Sequence, residues 1–166
     1  MQLLIAASAS ASGRLPAVLA SEAAIHRGNG LEIRPATITY ALTGSLVGKP
    51  TNSVRSGRLH WHSWTRQAAH GSGYDQVQKG DCGVLCPNGN YILYPARIWL
   101  HGPRVEHGHL VFTRMTITYT RRVPPSHSRS RTLDLTYVGG GFNWGPAFGA
   151  AATSRRNKVE QAAGTL

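Results

Sequence analysis

The sequence predicts an all-β domain, a small antiparallel β-sandwich or open barrel, and composition and patterning both support this. Gly and Pro account for 19 and 9 of the 166 residues and only 15% of residues are charged, which favours strands and turns over helices. Apolar and polar residues alternate in several segments, and long helical stripes are absent. With 41% hydrophobic residues the chain can build one core. We therefore expect roughly six to eight strands in a single domain.

Changes in composition along the chain suggest its organisation. Residues 1–13 are expected to be a truncated signal peptide, 14–30 a linker, 31–148 the β domain and 149–166 a flexible C-terminal tail. The first segment has a short apolar run and small-x-small triplets ending at Ala9 and Ala11, but it lacks a basic n-region. We therefore expect the true start to lie upstream of Met1. The alternative is an Ala/Ser-rich leader on a cytoplasmic protein.

Period-two alternation predicts the strands. The clearest runs are 36–40, 59–64, 91–100, 111–119 and 133–137. Pro95 has no amide hydrogen for a sheet ladder, which predicts an edge strand or a bulge. Residues 101–109 contain Gly102, Pro103 and Gly108 and are expected to turn the chain, so that the runs on either side form a hairpin with a long connection.

Cys82 and Cys86 are the only cysteines, and they lie in a loop between strand-like segments. Redox motifs usually have two residues between their cysteines rather than three, and there is no second pair to complete a zinc site. We therefore expect a disulfide-clipped loop, stabilised by about 2 kcal/mol. Such a bond persists only in an oxidising compartment, so the protein is predicted to be extracellular or cell-envelope associated. No apolar run is long enough to span a bilayer.

Several motifs occur in a defined order along the middle of the chain. They are Trp61-His62-Ser63-Trp64, Ala69-His70-Gly71-Ser72-Gly73, Asp81-Cys82 with Cys86 and Gly89, and Phe112-Thr113-Arg114-Met115-Thr116-Ile117-Thr118-Tyr119. In this order the stretch 34–120 resembles a family of small exported actinobacterial proteins of uncharacterised function. The resemblance implies an exported protein whose two cysteines are bridged, and it implies no activity.

The formal net charge of +11 predicts an anionic partner. A cell-wall or other anionic polymer is the favoured partner, and nucleic acid is the less favoured one. The alternative is that a gene rich in G and C supplies Arg codons freely, since 15 of the 18 basic residues are Arg. Charge by itself therefore predicts a class of partner and not a specific ligand.

Tryptophan and arginine side chains are the candidate ligand-binding groups. The candidates are Trp64, Arg58, Arg97, Trp99, Arg114, Arg121 and Arg122. Trp64 and Trp99 share strand faces with His or Arg and are expected to stack on a sugar or a base, whereas Trp61 is assigned to the core. The basic stretch that starts at Arg121 would bind a polyanion in a salt-sensitive way, and its alternative is a solvated loop.

Histidines suggest an enzymatic or metal-binding alternative. His60 and His62 share one strand face, and His107 and His109 repeat the spacing, so the two pairs would bind zinc or copper if they met. Eight histidines in the chain also form such pairs by chance.

A hydrolase would need a nucleophile, a base and an acid, such as Ser72, His70 and Asp75. The sequence around Ser72 lacks the five-residue nucleophile elbow, and its glycines suit a loop or a bulge. We therefore expect a non-catalytic binding domain without a cofactor. A metal-dependent or hydrolytic enzyme is one alternative, and a cytoplasmic nucleic-acid-binding protein is the other, although no nucleic-acid-binding motif occurs.

Overall fold

The computed structural model describes residues 14–20, 30–41, 44–50, 57–78, 91–125, 127–138 and 141–145. The strands are β1 (Val18–Leu19), β2 (Leu31–Glu32), β3 (Ile38–Ala41), β4 (Gly44–Val47), β5 (His60–Trp64), β6 (Ala69–Gln78), β7 (Tyr91–Glu106), β8 (His109–Tyr119), β9 (Ser130–Val138) and β10 (Gly141–Trp144). Within the described ranges every regular element is a strand and none is a helix, which confirms the all-β prediction. In particular, these ranges hold no helix with the length and apolar character needed to cross a membrane.

The eight strands β3 to β10 form one antiparallel sheet. Its order is β10-β9-β8-β7-β6-β4-β3, and β5 pairs with the first half of β6 on the same side as β4. The end strands β3 and β10 approach each other, so the sheet is a nearly closed barrel. Of the two predicted architectures, the structure is therefore closer to the open barrel.

Strands β7 and β8 show why the alternating pattern predicts two faces. Ile98 and Leu100 of β7 and Met115 and Ile117 of β8 are buried inside the barrel, whereas Trp99 between the first two points outward and is exposed. Since successive side chains of a strand point to opposite faces, one apolar stripe fixes the direction of every other residue. The outward residues of these strands are consequently available to form a surface site.

The segment 14–20 lies against the barrel, although sequence analysis placed it in a linker. Val18 and Leu19 are fully buried. The backbone of Ala17 exchanges hydrogen bonds with β8, donating to the Leu110 carbonyl and accepting from the Phe112 amide, both at 2.9 Å. A strand of two residues carries no alternation, so its sequence gave no sign of this burial.

Two buried indoles fasten the same segment. Trp64 of β5 donates from Nε1 to the Pro16 carbonyl at 2.9 Å, and Trp144 of β10 donates to the Leu19 carbonyl at 3.1 Å. On the other side, the Thr39 amide of β3 donates to the Ala20 carbonyl at 2.7 Å. Segment 14–20 therefore joins strands that are not neighbours in the sheet and covers the seam between its two ends.

Asp75 of β6 is the one buried charged residue among those described, and it lies at the centre of a polar network. Tyr40 donates its hydroxyl to Oδ1 at 2.5 Å, and Tyr119 donates to Oδ2 at 2.6 Å. Arg131 donates from Nη2 to Oδ2 at 3.2 Å and to the Tyr40 hydroxyl at 2.5 Å. Burial raises the pKa of both tyrosines above the usual value near 10, and the Asp75 carboxylate raises them further. The network ties β3, β6, β8 and β9 together inside the barrel.

Gly71 and Gly73 lie in the middle of β6, not in the loop or bulge that their sequence suggested. A Cβ atom at Gly71 would overlap the ring of Trp61, and one at Gly73 would overlap the backbone of Val47. Glycine is needed at both positions because the Trp61 ring and the Val47 backbone occupy the space where side chains would lie.

The prediction that Pro95 marks an edge strand or a bulge is wrong, because β7 pairs with both β6 and β8 and its register with β6 does not shift at Pro95. The Pro95 carbonyl accepts a hydrogen bond from the Thr120 amide, just beyond the end of β8 at Tyr119. Since the N and O atoms of one strand residue point to the same side, the missing amide hydrogen faces a neighbour that has just ended. An interior strand tolerates proline at such a position.

The expected hairpin between β7 and β8 is present, but its connection is short. Strand β7 continues to Glu106, which pairs with His109, so the turn consists of His107 and Gly108 alone. Both turn residues have positive φ, 48° and 81°, as a type I′ turn requires. Residues 101–106, which we expected to turn, instead extend the hairpin.

Some predictions concern residues outside the described ranges. Cys82 and Cys86 both lie there, so the described ranges contain no disulfide and neither of the cysteines that would form it. The signal peptide over 1–13 and the tail over 149–166 also lie outside. The disulfide, the signal peptide and the flexible tail stay predictions.

Candidate binding face

Two adjoining rows of side chains cross the outside of the barrel. In the first row His70 of β6 lies opposite Trp99 of β7, followed by Thr116 of β8 and Thr132 of β9. In the second row, Ser72 lies opposite Arg97, followed by Thr118 and Ser130. His60 of β5 extends the second row, since it pairs with Ser72. We call these two rows the outer face.

Trp99 provides the aromatic surface of the outer face. Its side chain is 43% exposed, whereas Trp64 and Trp144 are buried and Trp61 is half-buried. The His101 ring stacks on one face of the Trp99 indole at 4.0 Å between centroids. The His70 ring lies 6.1 Å from the indole and is nearly parallel to it. Neighbouring rings therefore hold the exposed indole in a fixed orientation.

A shallow groove of about 520 Å³ runs between the two rows. Its lining residues are His62, His70, Gly71, Ser72, Arg97, Ile98, Trp99, Thr116 and Thr118. His101 covers one face of the Trp99 indole and does not line the groove, so the groove meets the indole from the other side. That side faces Arg97, two residues earlier on the same strand. A ring that entered the groove would contact both side chains.

A second cleft of about 360 Å³ adjoins the groove and is basic. Lys49, Arg58 and His60 line it, and it shares Ser72 and Arg97 with the groove. The two ion pairs of the described residues involve Arg114 and Arg131, so Lys49, Arg58 and Arg97 have no carboxylate partner within these ranges. Among the described residues, no carboxylate lines either cleft. The site therefore attracts anions.

Hydrogen bonds between side chains organise the polar part of the outer face. The pairs are His62 with Ser72 at 2.9 Å, His101 with Thr116 at 3.1 Å, Thr116 with Thr132 at 2.8 Å and Thr118 with Ser130 at 3.1 Å. Partial burial lowers the pKa of His101 below its usual value of 6.5, and Arg114 nearby lowers it further. The lowered pKa favours the neutral form of His101, and Lys49, Arg58 and Arg97 are the Lys and Arg side chains that line the two clefts.

Trp64 is a core residue rather than a stacking platform. It is 5% exposed, and its ring packs edge-to-face against Trp61 at 4.7 Å. The pairing of β5 with β6 shifts by one residue between Trp61 and Ser63, which leaves His62 as the extra residue of a bulge. The bulge brings Trp61 and Trp64 to the same inward side, whereas simple alternation would place them on opposite sides.

The other predicted arginines lie away from the groove. Arg114 pairs with Asp134 at 3.3 Å, and because both side chains are more than half exposed the pair contributes little stability. Arg121 and Arg122 follow β8 and are exposed. The Arg122 guanidinium lies 6.0 Å from the ring centre of Tyr94, and the Arg121 carbonyl accepts a hydrogen bond from Arg129 at 2.7 Å. The described part of this basic stretch is thus folded against the barrel.

The two histidine pairs lie far apart. His60 and His62 are exposed, with ring centroids 4.5 Å apart. His107 lies in the β7–β8 turn and stacks on Tyr137 at 3.6 Å. Arg97 lies in the same row as His60, and Glu106 lies beside the turn that contains His107. The two residues are nine positions apart on β7, which corresponds to about 30 Å of strand. In the described ranges no three His, Cys, Asp or Glu side chains are grouped so as to hold a metal ion.

The three residues considered for a hydrolase are not assembled as a triad. Ser72 Oγ contacts His62 Nε2 at 2.9 Å. Asp75 is buried inside the barrel and bonded to Tyr40, Tyr119 and Arg131, because its position in β6 has the opposite direction to that of Ser72. The Asp75 carboxylate is therefore not oriented toward Ser72 or His62.

Several residues that line the two clefts were not predicted from the sequence as ligand-binding candidates. They are Lys49, Ser72, Thr116 and Thr118. The alternating threonines of β8 were visible as the polar side of the strongest strand, and they were the available indication. Their position beside Arg97 and Trp99 follows from the register between strands, which no single strand specifies.

Comparisons with known proteins found no match, so the functional proposal depends on the geometry of this chain. No family model, curated protein or solved structure matches it. The resemblance to exported actinobacterial proteins stays a prediction.

Proposed function

We propose that the protein is an exported, non-catalytic domain that binds an anionic polymer at the cell envelope through the outer face. The observation that best supports binding is the position of Arg97, which lines both clefts. It stands between the exposed indole of Trp99 on one side and Lys49 and Arg58 on the other. One continuous surface thus offers an aromatic ring next to three cations that have no carboxylate partner among the described residues.

The dimensions of the surface favour an extended ligand. The rows cross four neighbouring strands, and strands lie about 4.8 Å apart, so the face is about 14 Å wide. Its grooves are open rather than enclosed, so a chain can pass along them. The formal charge of +11 would also draw a polyanion toward the protein over a distance that salt shortens.

The chemistry of the face supports binding over catalysis. The hydroxyl and imidazole groups are hydrogen-bonded to one another in pairs, which fixes their positions. In the described ranges, neither cleft has a carboxylate to act as a general base or to orient a histidine. The arrangement is suited to holding polar groups rather than to transferring protons.

Retention on an immobilised polyanion tests the binding proposal. The protein should bind dextran sulfate at low ionic strength and elute as salt rises, because each cation–anion contact releases counterions. Replacing Arg58 and Arg97 with Gln should lower the eluting salt concentration markedly. Arg104→Gln removes one charge from an exposed position outside both clefts and is the matched control for Arg97→Gln. Equal effects of Arg97→Gln and Arg104→Gln would show that binding is not localised to the face.

The intact mass of the protein from its own organism tests export and the disulfide together. A shortened form in the culture supernatant that gains two hydrogens on reduction is the expected result. Full-length, reduced protein confined to the cell pellet would contradict the export proposal and make intracellular nucleic acid the first ligand to examine.

A further inference from the structure

We infer that the anionic polymer is a glycan, and that one sugar ring enters the groove between Trp99 and Arg97 while its anionic group lies in the adjoining basic cleft. This inference depends on the proposed binding function and specifies its ligand. It assigns separate tasks to the two clefts: the first recognises a ring and the second recognises a charge.

The spacing of Trp99 and Arg97 fits one ring. Alternate residues of a strand lie about 6.6 Å apart, which is nearly twice the 3.5–4.0 Å contact distance between carbon atoms. A single ring therefore fits between the indole and the flexible arginine side chain and touches both. His101 supports the indole from behind at 4.0 Å, so the aromatic wall of this slot keeps its orientation when the slot is empty.

The edges of the groove suit a sugar. Ser72, Thr116 and Thr118 carry hydroxyls, and His62 and His70 carry imidazoles. A hydroxyl both donates and accepts hydrogen bonds, as does a neutral imidazole, so these groups match the hydroxyls of a sugar ring in either direction. Base edges are recognised most often by Arg, and also by Asn, Gln and carboxylate side chains. In the described ranges Arg97 is the one groove residue of this set, whereas three hydroxyls and two imidazoles match a sugar.

The basic cleft lies where a substituent of that ring would reach. Ser72 and Arg97 line both clefts, so the two spaces lie side by side. Lys49 and Arg58 line the far side of the second cleft and give it two further positive charges. Phosphate, sulfate and carboxylate groups all satisfy this cleft, because each presents oxygen acceptors with negative charge.

Three probes separate recognition of the ring from recognition of charge. Dextran sulfate carries pyranose rings and anions, inorganic polyphosphate carries anions alone, and oligodeoxythymidylate carries anions, deoxyribose rings and bases. Binding of each is measured by titration calorimetry at low salt with the full chain and with Trp99→Ala. Tyr91→Ala is the matched control, since Tyr91 is 46% exposed on the same strand and lines neither cleft. Thermal unfolding of both variants shows that they are folded.

The expected result is that Trp99→Ala weakens dextran sulfate binding about tenfold, the loss of one stacking contact, while polyphosphate binding stays unchanged. Tyr91→Ala should alter neither. If Trp99→Ala leaves dextran sulfate binding unchanged, or weakens polyphosphate binding equally, the ring assignment is overturned while the polyanion proposal stands. A larger loss for oligodeoxythymidylate than for dextran sulfate would overturn it in favour of nucleic acid. If the full chain binds none of the three probes, both proposals fail.

Discussion

Asp75→Asn should destabilise the barrel strongly, although it keeps the size and shape of the side chain. The Asp75 carboxylate is fully buried and accepts hydrogen bonds from Tyr40, Tyr119 and Arg131. The asparagine oxygen can still accept a hydrogen bond. What the amide cannot supply is a second acceptor for these donors and the negative charge that compensates the Arg131 guanidinium.

The magnitude follows from the exposure of the pair. Removing one member of a buried ion pair costs about 3–5 kcal/mol, because the other charge stays buried without a partner. The Arg131 side chain is 20% exposed and retains its hydrogen bond to Tyr40, so water and the hydroxyl compensate part of the loss. We therefore expect a cost near the lower end, about 3 kcal/mol, out of a total of about 5–15 kcal/mol for a domain.

Urea unfolding followed by tryptophan fluorescence measures this cost, with Arg131→Met and the double variant completing a thermodynamic cycle. Arg131→Met removes the guanidinium and leaves the carboxylate with its two tyrosine donors, so it should cost less than Asp75→Asn. The double variant buries no unpaired charge. Its cost should therefore fall short of the sum of the single costs by about 2 kcal/mol.

Two outcomes would refute this reasoning. A loss below about 1 kcal/mol for Asp75→Asn would mean that the carboxylate does not stabilise the network. Additive single costs, within about 0.5 kcal/mol, would mean that Asp75 and Arg131 do not interact energetically. The dependence of the unfolding free energy on urea should stay the same in all variants, so that stabilities can be compared.

Three further predictions follow from buried or shifted groups. Tyr40 and Tyr119 keep their protons in the folded protein at a pH where the tyrosines of the unfolded chain have begun to ionise, near pH 10. The free energy of unfolding should therefore fall above pH 10 by about 1.4 kcal/mol per pH unit for each tyrosine. In a series of urea unfolding experiments at increasing pH, Tyr119→Phe should roughly halve this slope. The pKa of His101 in the folded protein lies below 6.5, so the unfolded chain takes up a proton first as the pH falls. The free energy of unfolding, relative to that of His101→Gln, should therefore decrease below pH 6.5. A difference in unfolding free energy between the two proteins that stayed constant from pH 5 to 7 would contradict the shift. Trp144→Phe should cost about 1–3 kcal/mol in urea unfolding because the buried Leu19 carbonyl loses its donor, whereas the exposed Trp99→Phe should change stability by no more than about 0.5 kcal/mol.

The sequence predicted the fold well where one strand has a long alternating pattern. In β7 and β8 the inward positions of Ile98 and Ile117 and the outward position of Trp99 follow directly from period two. Trp99 and Arg97 of the outer face could therefore be predicted from the sequence. Their neighbours Thr116 and Thr118 could be placed on a polar surface, but not beside Arg97.

The predictions failed where the structure depends on contacts with a neighbouring strand. The bulge at His62 reverses the direction expected for Trp64, and no property of β5 alone specifies it. Gly71 and Gly73 suggest a loop until the ring of Trp61 and the backbone of Val47 are placed against them. In both cases the missing information was contact between strands that are separated in sequence.

The position of segment 14–20 has a consequence for self-association. Strands β3 and β10 are the two ends of the sheet path, and an uncovered sheet edge offers unpaired amide and carbonyl groups to any other strand. Residues Ala17 to Ala20 cover the seam between them and are tied to it by the hydrogen bonds of Thr39 and Trp144. A protease that cut after Ala20 would leave most of the barrel chain intact. Once the cut segment dissociated, two edges would open at which one molecule can add its strands to the next, so loss of the first 20 residues would turn a nearly closed barrel into a template for aggregation.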